Sequence, residues 1–298
     1  MASRGVPFLN RREVVPWVFM APFLIFFLAF RVWPVISAFF LSFQDVQGIG
    51  VSEWTGLSNY AYLLKDPSFV KSMRNTTLYT IGILIMLVPL PLIYSQFLYS
   101  GVVARSNWIR LLIFLPVLTS LVVAGTVFRL LLAPDGILNT ALTAIGLPGP
   151  RWLGVAELAV PSMVIVATWR WTGMNIIYFT SGLTNVPHEI FEAASIDGAN
   201  GLQRFLHITV PMLKPVTVFV VTLTLIGGFQ VFAEPYVLFS QGESPGQGGL
   251  TIALYLYRQA FRSFNMGYAS TIGVVLALII MAISLVQFRL FGFFSEEE

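Results

Sequence analysis

Residues 192–215 read EAASIDGANGLQRFLHITVPMLKP. This polar, glycine-punctuated stretch lies between two strongly apolar segments of membrane-crossing length, and its shape governs how the rest of the chain is read. Pro187 can open a helix, because first-turn amides have no intrahelical partner to lose. His188 to Ile196 propagates it, with Glu189 and Glu192 near its positive end. Asp197-Gly198 breaks it, since glycine accepts backbone angles that strain other residues. A second short helix is expected from about Ala199 to Ile208, ended by Pro211. The product is a helix–turn–helix knob with small residues, Ala193, Ala194, Gly198 and Ala199, at its bend, where a partner can approach closely. Physics alone leaves a second reading open, an amphipathic helix lying on lipid headgroups.

Outward from this loop the chain is apolar. Of its 298 residues 56% are hydrophobic and 10% charged, and the mean hydropathy is +0.80. A soluble domain carries about 25% charged residues, so most of this surface must face lipid. The net charge of +3 is small and scattered, which argues against nucleic acid. With no cysteine, disulfides, thiolate chemistry and cysteine metal sites are excluded.

About six segments approach the ~20 residues that cross a hydrocarbon core. They run roughly from Val14 to Leu41, Leu78 to Tyr99, Arg110 to Leu131, Leu158 to Leu183, Pro215 to Leu238 and Tyr268 to Phe288. The first is too long for a signal peptide and lacks a small-residue cleavage site, so it reads as retained. In lipid each helix satisfies its own backbone, which makes an all-α bundle the expected fold. Arg4, Arg11 and Arg12 precede the first span and place the amino terminus inside; the overall Lys/Arg tally is nearly balanced between the two sides. Arg31, toward the end of the first span, can snorkel to the interface. Pro89, Pro91, Pro116, Pro161 and Pro235 interrupt apolar runs, as in helices that bend around a cavity.

Polar residues inside spans are the next signal. Arginine at a bilayer centre costs about 2.5–3.5 kcal/mol on insertion scales, and Arg170 sits mid-span beside Trp169 and Trp171, with Asn175 beyond. Gln230 and Glu234 stand one helical turn apart and are expected to share a face. A sugar needs hydrogen-bonding groups for its hydroxyls and an aromatic face for its ring. Arg170, Asn175, Gln230 and Glu234, with Trp171, Tyr178 and Phe232, are the candidates for such a path. The competing reading is an internal Arg170–Glu234 ion pair that holds helices together.

Chemistry of the chain's own is not indicated. A Walker-type phosphate loop needs Gly-Lys before Ser or Thr, whereas Lys65, Lys71 and Lys214 follow Leu64, Val70 and Leu213. The histidines, His188 and His207, both lie in the loop, and no nucleophile–base or metal pattern accompanies them.

The loop resembles the cytoplasmic EAA motif of bacterial ABC importer permeases. Glu192, Ala193, Ala194, Asp197, Gly198, Ala199, Ile208 and Pro211 fall in register, with Val210 in place of the usual Leu. Gly56-Leu-Ser-Asn59-Tyr60, Leu63 to Pro67 and Asn75-Thr76 resemble the first periplasmic segment of the carbohydrate-uptake branch, the maltose/glycerol-phosphate-type binding-protein-dependent importers. Phe114-Leu-Pro116, Trp169 to Gly173 and Phe229-Gln230-Val-Phe232 are similar to that branch too. The chain departs from it after the fifth span, where the branch has Leu-Thr-x-Gly-Gly-Pro and this chain reads Phe239-Ser-Gln-Gly-Glu-Ser-Pro245.

The resemblance implies a type I ABC importer permease-like bundle in one transmembrane domain, 1–298, with an ATPase-docking loop at about 184–215 formed by Glu192, Ala193, Ala194, Asp197, Gly198 and Ala199. It implies two copies of an ABC ATPase, a second homologous permease and an extracytoplasmic substrate-binding protein. It further implies a sugar or polyol substrate, no cofactor in this chain, with ATP and magnesium on the ATPase, and a bacterial inner-membrane location with both termini cytoplasmic. The alternative carried beside it is a proton-coupled secondary transporter, with Glu234 as the one acid well inside a span.

Overall fold

The computed structural model describes residues 15–46, 52–99 and 107–291. Arg4, Arg11 and Arg12, used above for orientation, lie outside these. The chain divides into two compact units, Met1–Lys65 with Gln259–Val275, and Asp66–Arg258 with Leu276–Glu298.

In the first unit, α1 (Val15–Phe27), a π-helical turn (Leu28–Val32) and α2 (Trp33–Leu41) form one apolar run of 27 residues. The π turn contains Arg31 and ends two residues before Pro34. A proline has no N–H and its ring crowds the preceding turn, so a wider turn just ahead of it relieves the helix. A two-residue hairpin follows, Gln44–Asp45 paired antiparallel with Glu53–Trp54, then α3 (Ser58–Leu63). Asn59 explains its place in the sequence pattern: its Nδ2 donates to the carbonyls of Ser42 at 3.1 Å and Gln44 at 2.9 Å. From the start of the last helix, Thr271 Oγ1 donates to the Ser42 carbonyl at 3.0 Å, and the Met266 amide donates to Val46 at 2.9 Å.

The second unit contains α4 (Pro67–Leu87), α5 (Pro89–Tyr99), α6 (Asn107–Leu118), α7 (Leu121–Leu131), α8 (Ile137–Ala144), α9 (Ala159–Leu183), α10 (His188–Ile196), α11 (Gly201–Arg204), α12 (Val210–Met212), α13 (Lys214–Phe229) and α14 (Ala233–Leu238). Most of α15 (Ile252–Phe261) and the end of α16 (Met266–Leu290) complete it. α9 is the central helix and packs against α4, α5, α6, α7, α13 and α14. Tyr79, Ile83, Phe128, Met163, Val166 and Leu238 form one buried cluster; Leu92, Phe179, Leu183, Leu213 and Val220 form a second. Small residues allow the close crossings that membrane helices depend on. At Gly173 a Cβ would stand 2.2 Å from the Ile113 carbonyl oxygen, so α9 touches the backbone of α6 itself.

Among the described residues, three helices are fit by length and composition to cross a membrane, Val15–Leu41, Pro67–Leu98 and Met266–Leu290, or up to five if each of two bent pairs is one span. α9 is 25 residues long and matches the expected 158–183 segment, but its polar residues keep it outside that group.

Three expected boundaries are corrected. The second segment begins at Pro67, not Leu78: Asp66 caps α4 by accepting from the Ser68 amide at 2.9 Å. Asn75-Thr76 therefore lie in a helix, buried, rather than in an outer loop. Their face is polar in sequence yet tolerable inside, because Ser72, Thr76 and Thr80 donate to carbonyls of their own helix. The third segment is two helices bent by 107° after Pro116, with Ser120 extended between them. The fifth stops at Phe229 and resumes as α14, so Gln230 and Glu234 are not one turn apart on a continuous helix. Pro235 removes the amide that would have met the Val231 carbonyl, and Thr251 Oγ1 takes its place at 2.7 Å.

Candidate functional site

The loop between α9 and α13 is built as a closed corner. α10 covers His188–Ile196, the expected range, with Pro187 as its cap rather than its first residue. Gly198 has φ +81, a left-handed conformation that glycine adopts without strain. The Gly198 amide donates to Ser195 at 3.2 Å and the Ala199 amide to Ala194 at 2.9 Å, the paired bonds of a Schellman motif. Asn200 then caps the next helix, bonding Gln203 in both directions. That helix does not end at Pro211. It runs from α11 through a π turn, Phe205–Thr209, and α12 to Met212, then bends 70° at Leu213 into α13. The π turn again ends two residues before a proline.

Across the corner Arg204 Nη1 donates to Ser195 Oγ at 2.6 Å, which braces the two helices. Phe191 is buried and anchors α10, whereas Ile196 is 87% and Leu202 67% exposed. Ala194, Asp197, Gly198 and Ala199 line one concavity of about 390 Å³ with Gln203, Arg204, His207 and Ile208. Glu192 lies instead on a neighbouring groove and pairs with His188 at 3.2 Å. Ala193 is exposed and lines neither. Ser195 and Arg204 were not singled out in the sequence. Their spacing across a glycine turn gives no pattern, since contact depends on the turn's geometry.

A second feature is a cavity of about 490 Å³ between α4, α9, α13 and α14. Arg170, Trp171, Asn175, Tyr178, Gln230, Phe232 and Glu234 all line it. Gln230 and Glu234 arrive there by the break in the chain, not by sharing a helical face. No ion pair joins Arg170 to Glu234. The Arg170 guanidinium instead lies over the Trp171 ring, Cζ 5.1 Å from its centroid, and its Nε is buried without a hydrogen-bond partner. Asn175 is partly committed, its Nδ2 donating to the Leu87 carbonyl at 2.8 Å. Tyr178 packs edge-on to Phe219 and Phe232 stacks on Tyr236.

Tyr79 and Thr224 also line this cavity, and sequence reasoning missed both. Tyr79 is 2% exposed, and its hydroxyl has no hydrogen-bond partner among the described residues. The same holds for the side-chain polar atoms of Thr224, Tyr178 and Gln230. The buried positions 72, 76, 79, 80, 83 and 87 repeat at helical spacing, a signal hidden by reading residues 63–76 as a loop.

Residues 67–296 match the family described as binding-protein-dependent transport system inner membrane component. The chain is 44% identical over 288 residues to the arabinooligosaccharides transport system permease protein AraP of Bacillus subtilis (strain 168), covering 96% of this chain and 91% of that one. It is 33% identical over 279 residues to the lactose transport system permease protein LacF of Rhizobium radiobacter, covering 93% of each. Among solved structures, a chain of a bacterial ABC transporter involved in the import of the acidic polysaccharide alginate superposes with TM-score 0.83 at 21% identity, over 96% of this chain and 97% of that chain, which shows a shared fold. The secondary-transporter alternative falls with this finding. The chain belongs to the family of binding-protein-dependent transport system inner membrane components, and it is a non-catalytic, multi-pass permease subunit of an ABC importer.

Proposed function

We propose that this permease carries a saccharide or polyol through the cavity between α4, α9, α13 and α14, as part of a complex with two ATPase copies, a second homologous permease and an extracytoplasmic binding protein. The observation that carries the substrate reading is the meeting of polar side chains that have no protein hydrogen-bond partner with aromatic rings on one cavity wall. Buried polar groups are normally hydrogen-bonded, and here the buried Tyr79 and Thr224, with the exposed Gln230, offer donors and acceptors on the same wall as the Trp171 and Phe232 rings. A polyhydroxylated ligand pairs with such a wall, and an apolar one leaves it unsatisfied. The names of AraP and LacF, transporters of arabinooligosaccharides and lactose, point the same way.

The loop at about 184–215 is the ATPase dock in this reading, within one permease domain spanning 1–298 and with both termini cytoplasmic. Its exposed Ile196 and Leu202 on a braced corner suit a protein groove. ATP, with its magnesium, is used by the partner, and its closure drives the helices between outward and inward access. Affinity purification from the native membrane tests this assembly. An ATPase and a second permease accompanying the chain, with uptake of a neutral sugar in the reconstituted complex, support it; recovery of the chain alone overturns it.

A further inference from the structure

One face of α13 turns to the cavity. Leu223, Thr224, Gly227 and Gln230 all line it, and at about 100° per residue they span one arc of the helix with Gly227 near its middle. Gly227 is exposed there, and a Cβ added to it would meet nothing within 4 Å. Its neighbour Gly228 is different. A Cβ at Gly228 would stand 2.7 Å from Thr80 Oγ1 and 3.1 Å from the Ile83 side chain, so close packing on α4 accounts for that glycine. No such contact accounts for Gly227. It lies inside a regular α-helix, where glycine is less favourable than alanine. What its missing side chain leaves is room, on the wall that carries Thr224 and Gln230.

We propose that Gly227 sets the upper size of the saccharide that the cavity admits. The inference rests on the saccharide reading above and adds a size-determining residue to it. A helical side chain leans toward the helix N-terminus and covers the turn before its own Cα. A larger residue at 227 would therefore lie over Leu223 and Thr224 and narrow the cavity along α13. Bare backbone instead lets a sugar ring lie against the helix, within reach of the Thr224 and Gln230 side chains. The cavity, about 490 Å³, falls in the lower half of the ~300–1,000 Å³ typical of small-molecule sites, so a leucine side chain would take an appreciable share of it. A short saccharide can shift away from such an obstruction, and a long one has no slack to do so. A pocket distinguishes ligands that differ by one methylene by about tenfold or more, and leucine adds several carbons.

The test uses proteoliposomes holding the permease with its ATPase, partner permease and binding protein. Uptake of radiolabelled arabino-, xylo- and malto-oligosaccharides of increasing length is compared for the wild type, Gly227→Ala and Gly227→Leu. The reading is the ratio of uptake of the longest to the shortest member that the wild type transports. The binding protein is common to all three preparations, so its own preference cancels in that comparison. Gly227→Leu should lower the ratio by about tenfold, and Gly227→Ala should lower it less, in the same direction. Alanine is the better helix former, so Gly227→Ala carries the test if Gly227→Leu fails to assemble. An unchanged ratio, or wild-type uptake confined to a single length, places the size limit elsewhere and overturns the inference. Equal loss of uptake at every length in an assembled Gly227→Ala complex also overturns it, by making the glycine a hinge. Loss of the complex in both variants does the same, by making Gly227 a packing site for a partner helix. All of these leave the saccharide reading standing; failure of the wild type to transport any of the saccharides removes both.

Discussion

Asn175 donates a hydrogen bond of 2.8 Å to the carbonyl of Leu87, and that carbonyl needs it because the residue four places on is Pro91. Proline has no N–H, so α4 would otherwise end on a buried, unsatisfied acceptor where α5 begins. A residue nominated for substrate contact thus also holds two helices to α9. Replacing Asn175 by Leu leaves the carbonyl bare, at a cost of about 1–3 kcal/mol. The expected outcome is a lower thermal unfolding midpoint in detergent, measured by size-exclusion after heating. An unchanged midpoint would mean that another group satisfies Leu87.

The contact of α9 with α6 is less forgiving. At Gly173 any Cβ meets the Ile113 carbonyl oxygen at 2.2 Å, an atom of the backbone that cannot rotate away. Overpacking of this kind costs roughly 1–3 kcal/mol where some relaxation is possible. Gly173→Ala should therefore lower the unfolding midpoint, and Gly173→Leu should give little assembled complex. Wild-type yield and stability for Gly173→Leu would show that the two helices separate without loss.

These relationships explain why the fold was partly legible. α9 and α10 were bounded correctly because each is a continuous helical pattern with its own stops, Pro187 and Asp197-Gly198. The breaks near Val88, Ser120 and Gln230 were signalled only by Pro89, Pro91, Pro116 and Pro235, and their places were not fixed, because a membrane helix can carry a proline either as a kink or as an end. What satisfies a break is remote: Asn175 is 88 residues from Leu87, and Thr251 is 20 residues from Val231. The cavity wall was legible through Arg170 and Glu234, which are costly in lipid wherever they point. The ion pair that competed with a substrate path is not formed, and Gln230 and Glu234 meet at the cavity by a broken helix rather than a shared face. Tyr79 was invisible because an aromatic in an apolar helix is ordinarily packing.

Gly198 separates backbone strain from docking. Its Cβ position is open, with nothing within 4 Å, but its φ of +81 is left-handed. A β-branched substituent is strained there by about 1–2 kcal/mol, so Gly198→Val perturbs the corner and any dock at once. Asparagine accepts this conformation, so Gly198→Asn keeps the Schellman corner and adds a side chain into the open space. If an ATPase seats on the corner, Gly198→Asn should reduce ATPase recovery on affinity purification while membrane insertion stays normal. Full recovery with Asn and loss with Val would assign the glycine to backbone geometry alone.

Tyr79→Phe isolates one oxygen on the cavity wall. The ring belongs to the buried cluster with Ile83, Phe128 and Met163 and is retained in the variant, so packing should not change. The hydroxyl has no protein partner to lose, so stability should be unaltered. A hydrogen bond made only to substrate contributes about 0.5–1.5 kcal/mol, which corresponds to a two- to tenfold rise in the KM for uptake, to order of magnitude. Uptake by the reconstituted complex and thermal unfolding of the same preparation are to be measured together. A raised KM with an unchanged midpoint places the Tyr79 oxygen on the transport path. A lowered midpoint with unchanged KM would instead give it a structural partner, and its place on the cavity wall would then be read as packing.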